Sequence, residues 1–114
     1  MILNRPEVAQ YPIDPTRLDL AREFRRNIYG PHSGELQKIL FRFRWAAPGG
    51  RWGLVTLSPG RWMLVRLPGR RGVPLETFPD HLYTDLKDAE WEVFCRRWEH
   101  VTGQSLKKQL ADAE

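Results

Sequence analysis

Hydrolytic or metal chemistry in this chain would have to be assembled from three histidines, His32, His81 and His100, one cysteine, Cys95, and three serines, Ser33, Ser58 and Ser105. No two histidines stand at a helical spacing, and none stands at a Cys-His spacing that would make two metal ligands converge. Each serine falls at a turn or a helix start, where its hydroxyl has a structural use. Cys95 lies on an aromatic helical stripe, where a thiol behaves as a small apolar group. Gly49-Gly50 and Gly69-Arg70-Arg71-Gly72 lack the strand-to-helix setting of a phosphate loop or dinucleotide site. The carboxylates Asp88 and Glu92 read as the solvated face of a helix. No catalytic residue and no metal ligand is therefore assigned to this chain.

Recognition is better supplied than catalysis. The chain holds five Trp and fourteen Arg, residue types enriched where proteins grip other macromolecules. Asn27-Ile28-Tyr29-Gly30-Pro31-His32-Ser33 leads into an apolar, Arg-studded stretch from Leu36 to Trp45, which reads as a docking element. The charge is uneven: residues 1–71 carry 13 Lys and Arg against 5 Asp and Glu, or +8, and residues 72–114 carry 5 against 9, or −4. The two parts can complement each other within one fold or across an interface, so the net +4 overstates a nucleic-acid role. The runner-up reading is nonetheless an Arg/Trp-rich nucleic-acid-binding module, resting on Arg42, Arg44, Arg51, Arg61, Arg66, Arg70 and Arg71 near Trp45, Trp52 and Trp62.

The elements that would position these residues follow from periodicity. At 114 residues one domain is expected, burying about two-thirds of its unfolded surface. Residues 1–13 read as an extended arm, residues 14–103 as a single domain and residues 104–114 as a polar C-terminal tail with at most another turn of helix. Asp14-Pro15 predicts a helix start, with a short helix to about residue 26. Ser33 is placed to cap a second helix, in which Leu36, Ile39, Leu40 and Phe43 fall at i, i+3, i+4 and i+7. Two β-prone runs flank Ser58-Pro59-Gly60-Arg61, which suits a type II turn and predicts a β-hairpin. Both of its faces are largely apolar, so each needs a helix or a partner. Residues 73–83, broken by Pro74 and Pro79, can supply at most a short edge strand or two. Thr84 or Asp85 then caps a long helix with Trp91, Phe94, Cys95, Trp98 and Val101 in its stripe, ended by Gly103. The fold class is α+β: a small single domain with two N-terminal helices, a β-hairpin and a long C-terminal helix. No apolar stretch is long enough to span a membrane and no signal-peptide core opens the chain, so a cytoplasmic protein is expected.

The run Asn27-Ile28-Tyr29-Gly30, His32-Ser33, Leu36-Gln37 and Phe43-Arg44 resembles the small (light) subunit of N,N-dimethylformamidase. Pro48, Gly50-Arg51-Trp52, Trp62 with Arg66, Asp88-Ala89, Val93-Phe94 and Arg96-Arg97 continue the likeness, in order, over residues 27–101. The basic hairpin and loop diverge, and the longer helical N-terminal extension associated with that subunit is not expected from this sequence. The resemblance implies a non-catalytic partner of a large amidohydrolase subunit in a hetero-oligomer. In that family the large chain holds a mononuclear iron with tyrosine and glutamate ligands and hydrolyses small N-substituted amides. No cofactor is thus expected in this chain. The positions carried over as partner-binding are Asn27, Tyr29, His32, Gln37, Arg44 and Trp62.

Overall fold

A computed structural model describes residues 12–44, 51–68 and 71–113. Residues 1–11 of the expected 1–13 arm, Trp45, the Pro48-Gly49-Gly50 break and Gly69-Arg70 lie outside the described residues. The order is α1 (Leu18–Arg26), α2 (Gly34–Arg44), β1 (Trp52–Ser58), β2 (Arg61–Arg66), β3 (Glu76–Tyr83), α3 (Leu86–Thr102) and α4 (Leu106–Ala113). The fold is α+β, as expected, with a third strand beside the hairpin and a fourth helix after the long one.

Helix α1 starts later than Asp14-Pro15 predicts. The Asp14 carboxylate accepts from the Thr16 amide at 2.9 Å and the Thr16 hydroxyl at 2.7 Å, while the Arg17 amide donates to the Asp14 carbonyl at 3.1 Å. An Asp side chain so engaged closes a local turn rather than capping a helix, and α1 begins at Leu18 with Arg17 at its cap position. In α2 the predicted stripe holds: Leu36, Ile39 and Phe43 are buried and Leu40 packs beside them.

Helix α3 is the spine. Asp85 caps it by accepting from the Lys87 amide at 2.9 Å, and Gly103 ends it at φ 77°, a left-handed conformation that glycine adopts without a Cβ penalty. Trp91, Phe94, Cys95 and Trp98 join Leu20, Ala21, Phe24, Leu36, Ile39, Phe43 and Leu106 in the main core. Phe94 is its hub, stacked on Phe24 at 4.3 Å between ring centres and edge-on to Phe43 at 5.4 Å; such pairs add about 0.5–1.5 kcal/mol beyond their burial.

The residues after Gly103 are not a trailing polar tail. Leu106 is 1% exposed in the core and Leu110 packs on it from the next turn of α4. Gln109 ties that helix down, accepting from the Trp98 indole at 2.9 Å and donating to the Pro15 carbonyl at 2.7 Å. The buried Trp98 needs a partner for its N–H, and a short polar helix carries it.

The sheet has the order β1-β2-β3, antiparallel throughout. The hairpin turns at Pro59-Gly60, with Gly60 at φ 77° as a type II turn requires, and Leu57 is the extra residue of a bulge between Thr56 and Ser58. Strand β3 is an interrupted edge: from Leu64↔Phe78 to Met63↔Leu82, one step on β2 spans four on β3. Pro79 lies inside that bulge, where the ladder needs no amide from it. Trp52, Leu54, Leu64, Phe78 and Tyr83 face α3 and form a second cluster with its Val93.

Candidate partner-docking site

Three of the six expected docking residues come together, and they bind one another's loop. The Asn27 amide group donates to the Pro31 carbonyl at 3.3 Å, the His32 Nε2–H donates to the Asn27 carbonyl at 2.9 Å, and the Gln37 amide group donates to the His32 carbonyl at 2.9 Å. Glu23 of α1 clamps the far end, accepting from the Ser33 amide and hydroxyl at 2.7 Å each. Those two bonds hold the Glu23 carboxyl below its ordinary range. Ser33 itself caps α2 by accepting from the Leu36 amide at 3.2 Å. The loop also contains a cis Gly30-Pro31 bond, and the His32 ring lies 5.8 Å from Phe24. What this shaped loop presents outward is Tyr29, 62% exposed.

Arg44 and Trp62 stand on other elements. Arg44 is exposed at the last residue of α2, its guanidinium 5.2 Å from the Phe41 ring. Trp62 is half-buried in β2 between Thr56 and Tyr83. The six residues are thus not one patch.

The exposed apolar surface is concentrated elsewhere. Among the described residues, the large apolar side chains left exposed besides Tyr29 are Leu57, Leu67, Val73, Leu75 and Leu82, all on the sheet or its connections. Register places Met63, Val65 and Leu82 on the face turned away from α3, beside Gly53 and Val55. Leu67 joins them, lying 3.8 Å from where a Gly53 Cβ would stand. Leu67 and Leu82 are 47% and 49% exposed, and among the described paired positions of this face the one charged residue is Arg61, at the hairpin end.

Behind the sheet lies a polar cluster whose reading changes most. Glu92 is 7% exposed, not on a solvated helix face, and its carboxylate takes Arg96 Nε at 2.7 Å together with the Lys107 ammonium. Burial alone would raise this carboxyl, but the hydrogen bonds from Lys107 and Arg96 prevail and lower it. Arg96 also donates to His81 Nε2 at 3.1 Å, which leaves the ring's hydrogen on the buried Nδ1, where no acceptor among the described residues meets it. Trp52 carries Arg66 and Arg96 over its ring at 5.0 and 5.1 Å, and its carbonyl accepts from Arg97 at 2.8 and 3.2 Å. Burial and the neighbouring Glu92 push the Tyr83 hydroxyl up to about 12.

The sequence did contain a signal for this cluster. Trp91, Val93, Phe94 and Cys95 flank Glu92 with apolar side chains on every side of a helix, and the structure covers α3 on opposite sides, by helices through Trp91 and by the sheet through Val93. An acid inside such a run must be paired.

Chemistry stays sparse. Burial pushes the Cys95 thiol up to about 12, far from nucleophilic. Among the described residues, no three His, Cys, Asp or Glu side chains come together as a metal would need. Nor, among them, is any helix long and apolar enough to cross a membrane. Two members of the Arg/Trp set are committed: Arg66 donates to Glu76 at 2.8 Å, and the buried Trp52 ring, lying under two guanidinium groups, is no platform for a base.

A small α+β domain with a buried, ion-paired carboxylate and a largely apolar outer sheet face has surface suited to assembly. The family model for the N,N-dimethylformamidase alpha subunit matches residues 13–108, and the chain belongs to that family. No curated protein and no solved structure matches it. The match contains the whole of the resemblance over residues 27–101 and extends into α4.

Proposed function

We propose that this chain is the non-catalytic small subunit of a dimethylformamidase-like complex, assembling with and stabilising a large iron-dependent chain that hydrolyses small N-substituted amides. Family membership supports a subunit role. The observation that carries the docking role is the concentration of exposed leucines on and around the outer sheet face, while the Cys95 thiol is buried and Glu92, Arg96 and Arg97 are engaged with one another's elements behind the sheet. Leu67 and Leu82 form the centre of the contact, Met63 and Val65 its floor, and the loop braced by Asn27, His32 and Gln37 presents Tyr29 as a separate anchor. Arg44 and Trp62 contribute at the ends of their elements. Iron and its ligands belong to the large chain in this reading. The small subunit acts by covering apolar surface and fixing geometry.

Co-expression with the large amidohydrolase chain tests this. The two should co-purify as one hetero-oligomer by native mass measurement, with amidase activity and iron following the large chain. A small chain that purifies alone as a stable monomer, leaving the large chain fully active, overturns it.

A further inference from the structure

On the side of α3 opposite the sheet, α1, α3 and α4 enclose a cleft of about 450 Å³ lined by Arg22, Arg25, Trp91, Lys107, Leu110 and Ala111. Three of the six are cations and none is an acid. Two of the cations are fixed in place. Arg25 rests over the Trp91 ring at 4.9 Å, and the Lys107 ammonium is tethered to the buried Glu92. Arg22 stands exposed on α1. Glu92 offsets one positive charge from beneath, so the cleft retains an excess of two over an apolar floor of Trp91 and Leu110.

Holding like charges around a concave, partly apolar site costs self-repulsion, which a bound carboxylate relieves. We propose that this cleft receives an acidic side chain, with an adjoining apolar residue, from the large chain of the complex. The proposal rests on the subunit reading above and adds the chemistry of the partner segment. Shape favours a peptide over a nucleic acid. Trp91 is 7% exposed and already lies beneath Arg25, so its ring offers no face for a base to stack on. Three cations around one cleft match one or two carboxylates rather than a run of phosphates. Lys107 keeps donors free beyond its bond to Glu92, since an ammonium has three.

The test uses the purified complex with the large chain and compares two reversals on the same helix. Arg22→Glu changes the cleft, whereas Arg26→Glu makes the same charge change at an exposed position outside the lining. Thermal melting of each isolated variant checks its fold. We expect Arg22→Glu to weaken association about tenfold or more, with a reduced salt dependence, and Arg26→Glu to leave it nearly unchanged. Equal effects of the two reversals, or no effect of either, overturn the proposal while the subunit reading stands. Absence of any complex with the unaltered chain overturns the subunit reading instead. In a parallel titration followed by the Trp91 indole NMR signal, an acetylated Glu-Leu-Glu-Leu peptide should shift it and a ten-nucleotide single-stranded DNA should not. The opposite order would assign the cleft to a polyanion and also overturn the proposal.

Discussion

Glu92 shows what a single residue contributes here and how it escapes sequence reading. Its spacing from Asp88 resembles an ordinary solvated helix face, yet Glu92 is buried and anchors Arg96 and Lys107 from two elements. The hydrogen bonds that lower its carboxyl make stability depend on pH with a definite sign. A carboxyl whose folded pKa lies below its unfolded value of about 4.5 stabilises the fold above that value and loses the contribution as pH falls through the folded pKa. Glu92→Gln removes the charge at nearly constant volume. It is expected to cost about 1–3 kcal/mol at neutral pH, since Arg96 and Lys107 are partly exposed and can find water. Thermal melts of both proteins from pH 7 to pH 3 should converge as pH falls below about 4.5, because the variant has already lost that term. A constant gap between the two curves would show that the ion pairs do not set Glu92's worth. Asn27, His32 and Gln37 teach the converse lesson: their grouping was visible in the sequence, but the structure uses their polar atoms to brace the loop.

At the scale of elements, legibility followed the strength of the periodic signal. Leu36, Ile39 and Phe43 fall at helical spacing and are buried as expected, and Pro59-Gly60 fixed the hairpin turn because few residues suit it. Strand β3 was half legible, since Pro79 rules out a regular ladder but does not reveal that a bulge carries the chain past it to pair again at Leu82 and Tyr83. Helix α4 was least legible. Only Leu106 and Leu110 mark its inner side, too few for a periodic pattern, and its polar ties are single side chains, Gln109 to Trp98 and Pro15 and Lys107 to Glu92. If α4 is integral to the core, Leu106→Ala should destabilise the protein by about 2–5 kcal/mol, the range for a truncated buried leucine. Chemical denaturation with the slope unchanged would measure this; a loss below about 0.5 kcal/mol would mean that α4 is a loosely attached end.

For the whole molecule, the charge asymmetry seen in the sequence is partly resolved inside the fold. Arg66 from the basic part meets Glu76 from the acidic part, though Arg17 pairs locally with Asp19 and Glu35. Such internal pairing lowers the surface charge left for a polyanion, consistent with a protein partner. The outer sheet face was legible in one respect: alternation in β2 made both faces apolar, and one of them faces α3. Which side chains remain half exposed on the other could not be read before the register was known, because Leu82 reaches that face only through the β3 bulge. In the function proposed above, this face seats the large chain. The most direct measurement is the affinity of the large chain for the Leu67→Asp/Leu82→Asp variant, whose substitutions lie at half-exposed positions and should leave the isolated fold intact by circular dichroism. Association should be at least about a hundredfold weaker than for the unaltered protein. An undiminished complex, with both aspartates tolerated, would contradict it.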